Sequence, residues 1–229
     1  MNREIIIQKL LKARKGKTYL EIGVSTGRVF FSILSTSKYA VDPLFKFSRW
    51  KVFRRTIKNP TNIFNKYYTS TSDDFFSKQA PEIFSQKRIN VCLVDGMHEY
   101  DFALRDIENA LKYLEDDGVI IVHDCNPVTE KMGSTFEEWK GRGYDGEWNG
   151  DVWKAILHLR CTRNDVHVFV LDCDYGLGII TKGKPENNLT LPVDSIAKLS
   201  YQDFHANRES WLNLKPLSHF YNFFKLSAD

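Results

Sequence analysis

The sequence predicts an α/β fold built on a doubly wound, mostly parallel sheet, and three observations carry that prediction. Short, wholly apolar runs alternate with segments of helical periodicity, the pattern of strands covered on both faces. The first apolar run (Tyr19-Leu20-Glu21-Ile22) opens directly into a glycine-bearing turn, Gly23-Val24-Ser25-Thr26-Gly27. Nearly every apolar run ends in a polar or acidic residue: Glu21, Asp42, Asp95 and Asp124.

Taken in order, residues 3–14 carry a helical stripe (Ile6, Ile7, Leu10, Leu11), and 18–23 read as the first strand. Residues 26–35 (Val29, Phe30, Ile33, Leu34) read as the first crossover helix, and 38–42 as the second strand. The basic and aromatic stretch 44–60 reads as helix and loop, closed by Asn59-Pro60, and its cations as a solvated helix face. A third strand is expected over 62–67, then a helix cap within Ser70 to Asp74. Residues 89–95, 100–114 and 119–124 form the clearest strand–helix–strand unit, with Asp117-Gly118 as its turn. Residues 126–150 lose periodicity, and so long a loop points to a lid over a site. A helix at 152–160 and a hairpin of 166–171 with 177–181 follow. The expected domains are 1–184 and a helical C-terminal appendage, 185–229, with helices over 196–214 and 216–225.

In an open α/β sheet, ligands sit beyond the carboxyl ends of the strands where the strand order reverses. A dinucleotide fingerprint has three glycines, so that the backbone can approach a pyrophosphate; here Glu21 stands at the first of these positions. A carboxylate repels a pyrophosphate and favours an ammonium. The turn therefore suits a cationic nucleoside, S-adenosylmethionine, with Asp42 placed to reach a ribose. Farther along, Asp95-Gly96-Met97-His98 puts a carboxylate and an imidazole within one turn, and His123-Asp124-Cys125-Asn126 ends the following strand. Asp95 and Asp124, with His123 or Asn126, could bind magnesium through oxygen, and His98 could act as a general base. The alternative is that both aspartates cap helices and His98 bonds nearby backbone. Trp148 offers a flat face to an acceptor, and Asp151 and Lys154 offer hydrogen bonds.

Glu21-x-Gly23-x-x-x-Gly27 with Asp42 resembles the class I S-adenosylmethionine-dependent methyltransferases, whose fold is Rossmann-like. Val94-Asp95-Gly96-Met97-His98-Glu99-Tyr100, continuing to Gly118 through Asp124, resembles their small-molecule branch, which includes sugar O-methyltransferases. The resemblance spans about residues 15–181. It implies that Glu21, Gly23 and Gly27 hold the methionine end of the cofactor, and that Asp42 accepts hydrogen bonds from the ribose. Ser72 and Asp73 would border the adenine, with Asp95 also at the cofactor. In magnesium-dependent sugar members the aspartate of Asp-Gly-x-His is a metal ligand and the histidine the proposed base, here Asp95 and His98. Those members end the next strand in two adjacent acids, and catechol-type members in Asp-Asn. This chain has His123-Asp124-Cys125, one oxygen ligand short of either pattern, with Asp124 the second metal candidate.

Composition narrows the alternatives. Hydrophobic residues make up 42% and charged residues 27%, enough apolar material for a sizeable core. With 32 basic and 29 acidic residues the formal charge is +3, too small an excess to make nucleic acid the main partner. The four cysteines form no Cys-x-x-Cys pair, and no apolar run is long enough for a membrane span. The expected setting is cytoplasmic and the expected partners a small-molecule acceptor and a possible second copy, with neither nucleic acid nor membrane. The alternatives to O-methyl transfer are a non-catalytic scaffold that docks through its aromatic tail, and a dinucleotide-dependent oxidoreductase.

Overall fold

A computed structural model describes residues 1–227. The chain divides into two compact units: residues 2–96 with 105–121, and Met1 with 97–104 and the chain from 122 onward.

In the first unit, α1 (Arg3–Ala13) starts at Asn2, whose side chain accepts the Ile5 N–H, and it buries Ile6, Ile7, Leu10 and Leu11. A parallel array runs β3 (Lys66–Tyr68), β2 (Ser37–Val41), β1 (Thr18–Ile22), β4 (Ile89–Val94), with β5 (Leu114–Val122) next to β4. Thr18 pairs with Ser37, and Tyr19 with Val91. Every residue of β1, β2 and β4 is buried, as expected where both sheet faces are covered. β2 and β4 lie on opposite sides of β1, so the order reverses at the carboxyl ends of β1 and β4. The helices of this unit are α2 (Arg49–Lys58), α3 (Ser72–Lys78, capped by Thr71), α4 (Ala80–Phe84) and the latter part of α5 (Tyr100–Tyr113).

Three expectations fail here. Residues 26–35 form successive turns rather than a helix. Gly27 has φ +72°, outside the right-handed helical region, so only a short helix could follow it. Lys38, just downstream, and two asparagines beyond the next helix then take the carbonyls of this segment. Lys38 Nζ reaches Phe30 O at 3.0 Å and Ile33 O at 2.9 Å, and the Asn59 and Asn62 amides both bond Phe31 O at 3.1 Å. Second, the third strand begins at Lys66, because Asn59 caps a 3-10 turn over Pro60–Phe64. Third, Asp117-Gly118 lies inside β5, which starts directly after α5. A Cβ at Gly118 would meet Leu114 Cγ at 2.7 Å and Ile89 O at 2.9 Å, so the glycine serves close packing rather than a turn.

The second unit is built on β6 (Val166–Leu171), antiparallel to β7 (Leu177–Lys182) on one side and parallel to the short β8 (Leu214–Lys215) on the other. β8 was not legible in the sequence, since two half-buried residues have no periodicity. The expected loop 126–150 contains a short helix, α6 (Phe136–Gly141), fixed by a reciprocal Thr135–Glu138 cap. α7 (Trp153–Thr162) is buried along most of its length. The expected helix over 196–214 is broken into α8 (Val193–Ile196) and α9 (Tyr201–Leu212), because Ser200 and Asp203 cap a new start. α10 (Leu217–Phe224) follows. α9 packs on α7: the Phe204 ring lies 4.6 Å from that of Trp153, and Arg160 donates to Ser210 O and Trp211 O.

Candidate active site

At the end of β1 the chain turns sharply, and two glycines make the turn possible. Gly23 has φ +82°, and a Cβ there would lie 2.1 Å from Asp95 O; at Gly27 it would lie 2.4 Å from the Phe31 ring. The end of β1 is thus pressed against the end of β4, leaving bare backbone at the switch point. Asp42, nearly buried, accepts Ser25 N–H on Oδ2 and Leu44 N–H on Oδ1, both at 2.7 Å. It therefore shapes the glycine turn, and each oxygen keeps a second lone pair for a further donor.

Glu21 is 2% exposed and accepts the Tyr19 hydroxyl at 2.5 Å. Burial, against the opposing effect of that bond and with Asp95 nearby, pushes its carboxyl up to about 8. Asp95 pairs with Arg3 at 3.5 Å. Ser72 bonds Asp106, a buried carboxyl that desolvation pushes up to about 7. Asp73 is exposed and bonded by Arg105 at 3.2 Å. Asp106 escaped the sequence reading because it lies within the helical stripe of α5. In the fold its Oδ2 would lie 3.7 Å from a Cβ at Gly96.

In the second unit, His98 and Asp124 come together. His98 Nδ1 lies 2.9 Å from Trp148 O and 3.2 Å from Asp124 Oδ2. Both neighbours are acceptors, so in the neutral ring Nδ1 carries the proton and Nε2 is the basic nitrogen. Asp124 holds a left-handed backbone (φ +62°), uncommon for a residue with a side chain. Its Oδ2 also lies 2.9 Å from His123 Nδ1, and its Oδ1 accepts the Asn149 amide. Three nitrogen groups thus surround this carboxylate, a set that suits a hydrogen-bonded positioning group. No step below is routed through a metal. Asn149 was missed by sequence reasoning because it is one polar residue in a polar loop.

The loop 126–150 is anchored to this cluster by backbone. Asp151 N bonds His98 O at 3.2 Å, and Asp151 Oδ1 accepts Tyr100 N–H at 2.7 Å. A Cβ at Gly150 would lie 1.7 Å from His98 O, so only glycine allows this approach. Trp148 stacks on Trp139 (4.8 Å) and on His98 (5.3 Å), and its indole N–H donates to Ser134 O, so it braces the imidazole. Lys154, nearly buried, pairs with Asp151 at 3.2 Å and donates to Ala197 O. Beside them a cavity of about 380 Å³ is lined by Ser134, Asp151, Trp153, Lys154, Tyr201 and Gln202, among others. The buried Trp153 indole N–H has no hydrogen-bond partner there.

The fold has counterparts. Residues 20–125 match a family model described as a methyltransferase domain. No curated protein sequence matches the chain. Among solved structures, the O-methyltransferase TomG of Streptomyces achromogenes, in complex with S-adenosylmethionine, superposes with TM-score 0.55 at 12% identity over 79% of each chain. An O-methyltransferase of Bacillus cereus in complex with S-adenosylhomocysteine gives 0.53 at 14%, covering 79% of this chain and 80% of that one. The S-adenosylhomocysteine-bound methyltransferase PaMTH1 of Podospora anserina gives 0.55 at 14%, covering 80% and 78%. These likenesses support the Rossmann-like α/β fold, and residues 20–125 are similar to a methyltransferase domain.

Proposed function

We propose that the chain binds S-adenosylmethionine at the ends of β1, β2 and β4 and methylates a hydroxyl of a small polyhydroxylated acceptor, a sugar or a glycan-pathway intermediate, with His98 as general base. The observation that carries this reading is the pair of acceptors on His98 Nδ1, which directs the basic Nε2 to a proton. Bound S-adenosylmethionine would supply an electrophilic methyl on a sulfonium. The acceptor hydroxyl gives its proton to His98 Nε2, and its oxygen forms the new bond to the methyl carbon. The methyl would leave with the carbon–sulfur electron pair retained on sulfur, which becomes a neutral thioether. Asp124 holds the imidazole in register and favours the imidazolium that results. Much of the rate gain would come from alignment of the two reactants.

The cofactor end fits the residues present. The glycines at 23 and 27 let the turn pack tightly on Asp95 O and the Phe31 ring, and Asp42 has lone pairs to spare for ribose hydroxyls. Glu21 faces an ammonium best when ionised. Ser72 and Asp73 are the adenine-side candidates, and Asp95 stands at the β4 end beside Gly23. For the acceptor, the cavity at Asp151 and Lys154 carries cations and anions in balance (Lys131, Arg142 and Lys154 against Glu130, Glu138 and Asp151), which suits a neutral molecule rich in oxygen.

The test is a pair of measurements on His98→Ala. Binding of S-adenosylhomocysteine should stay within a few-fold of wild type, while kcat for methyl transfer should fall by about 10²–10⁴. Turnover within a few-fold of wild type would remove His98 from the mechanism. Repeating the wild-type assay with chelator, then with added magnesium, tests Asp95 and Asp124 as metal ligands.

A further inference from the structure

We infer that α2 is an interfacial helix that docks the protein on an anionic lipid surface. Its sequence, Arg49-Trp50-Lys51-Val52-Phe53-Arg54-Arg55-Thr56-Ile57-Lys58, buries no residue. Trp50, Phe53 and Ile57 fall on one face at helical spacing, and all three are more than half exposed: 66%, 55% and 65%. Trp50 and Phe53 stack on each other at 5.4 Å rather than on the core. Half-buried Val52 and Thr56 lie on the side that meets the rest of the unit, so the aromatic face is the outward one.

Charge decides what covers this face. Arg49, Lys51, Arg54, Arg55 and Lys58 flank it, and the sequence has no Asp or Glu between Asp42 and Asp73. Among the described residues none of these five cations makes an ion pair. A second copy docked through the same patch would set this positive charge against itself, because a two-fold interface pairs a surface with its own image. An acidic bilayer surface complements both features at once. It offers anionic headgroups to the cations and an apolar boundary into which Trp, Phe and Ile insert. The sequence expectation of no membrane partner rested on the lack of a spanning segment. No helix of the described residues is long and apolar enough to cross a bilayer, and an interfacial helix does not need to be.

The experiment is co-sedimentation of the full chain with vesicles of phosphatidylcholine alone and with about one third phosphatidylserine. The protein should pellet with the anionic vesicles and stay soluble with the neutral ones, and salt should release it. Arg54→Glu/Arg55→Glu and, separately, Trp50→Ser/Phe53→Ser should each weaken partitioning by about tenfold or more. All four positions are outside the core, so thermal midpoints should match wild type, which separates loss of docking from loss of fold. Absence of pelleting at low salt, equal pelleting with neutral vesicles, or unchanged binding by both variants would overturn the inference. So would a dimer dissolved by the same substitutions, or an RNA duplex bound more tightly than the anionic vesicles; these would reassign the helix to self-association or nucleic acid.

Discussion

His98 and Asp124 are the residues whose chemistry the structure sharpens most. Their types and strand-end positions were readable from Asp95-Gly96-Met97-His98 and from the run ending at Asp124. The tautomer was not, because one of its determinants is the carbonyl of Trp148, fifty residues away. Asp124→Asn keeps the shape but replaces an acceptor with an amide that can present its donor to Nδ1. It should lower kcat by about 10² or more with little change in S-adenosylhomocysteine affinity, measured by steady-state kinetics and calorimetry. Glu21 carries a second prediction. Its folded carboxyl holds a proton up to pH about 8, against an ordinary value of 4.5. The folded chain thus binds more protons than the unfolded chain between these values, and through this group unliganded stability falls as pH rises across that window. An ammonium ligand prefers the ionised form, so cofactor affinity should rise with pH towards 8 and level off above it. Glu21→Gln should flatten that profile in calorimetry; a wild-type affinity independent of pH would remove Glu21 from the ammonium.

Among the elements, the segment after β1 shows where periodicity misleads. Val29, Phe30, Ile33 and Leu34 have helical spacing, yet Gly27 and the donors Lys38, Asn59 and Asn62 impose turns. The asparagines lie beyond α2, outside any local window, although Lys38 does not. Lys38 is the most exacting of them: fully buried, with its ammonium pushed down to about 7 by desolvation. Lys38→Met would fill the space but take the donor from Phe30 O and leave Ile33 O with the Asn59 amide alone. It should cost about 2–4 kcal/mol in denaturant unfolding and weaken cofactor binding by loosening the glycine turn. The strands were far more legible, because β1, β2, β4 and the 166–182 hairpin are continuous apolar runs with clear breaks.

For the molecule as a whole, the mostly parallel α/β architecture was readable from the alternation of elements, whereas the role of the last forty-odd residues was not. An aromatic tail at helical spacing reads more readily as core or as a self-association face than as a docking surface for a partner, and the spacing does not say which element it covers. Phe204 is fully buried against Trp153, Ala197 O accepts from Lys154, and Leu199 to Gln202 line the cavity beside Lys154, so this tail helps to wall that cavity. Phe204→Ala should destabilise by about 3–5 kcal/mol in denaturant unfolding. Truncation after residue 184 should give insoluble protein rather than a smaller active enzyme, checked by expression and sedimentation. A soluble, cooperatively melting 1–184 fragment would support the tail as an appendage.

The carbonyl of Trp148 that orients the imidazole belongs to the main chain, so no side-chain replacement can delete it. The path of the loop alone carries that instruction. Randomising exposed positions of α6 should therefore spare turnover in many clones, while inserting or deleting one residue there should silence it by moving the carbonyl off register. Gly150 is the exception to such tolerance, since any side chain at that point collides with His98 O. Acceptor preference could thus drift through loop composition under selection while the proton-transfer geometry is inherited unchanged.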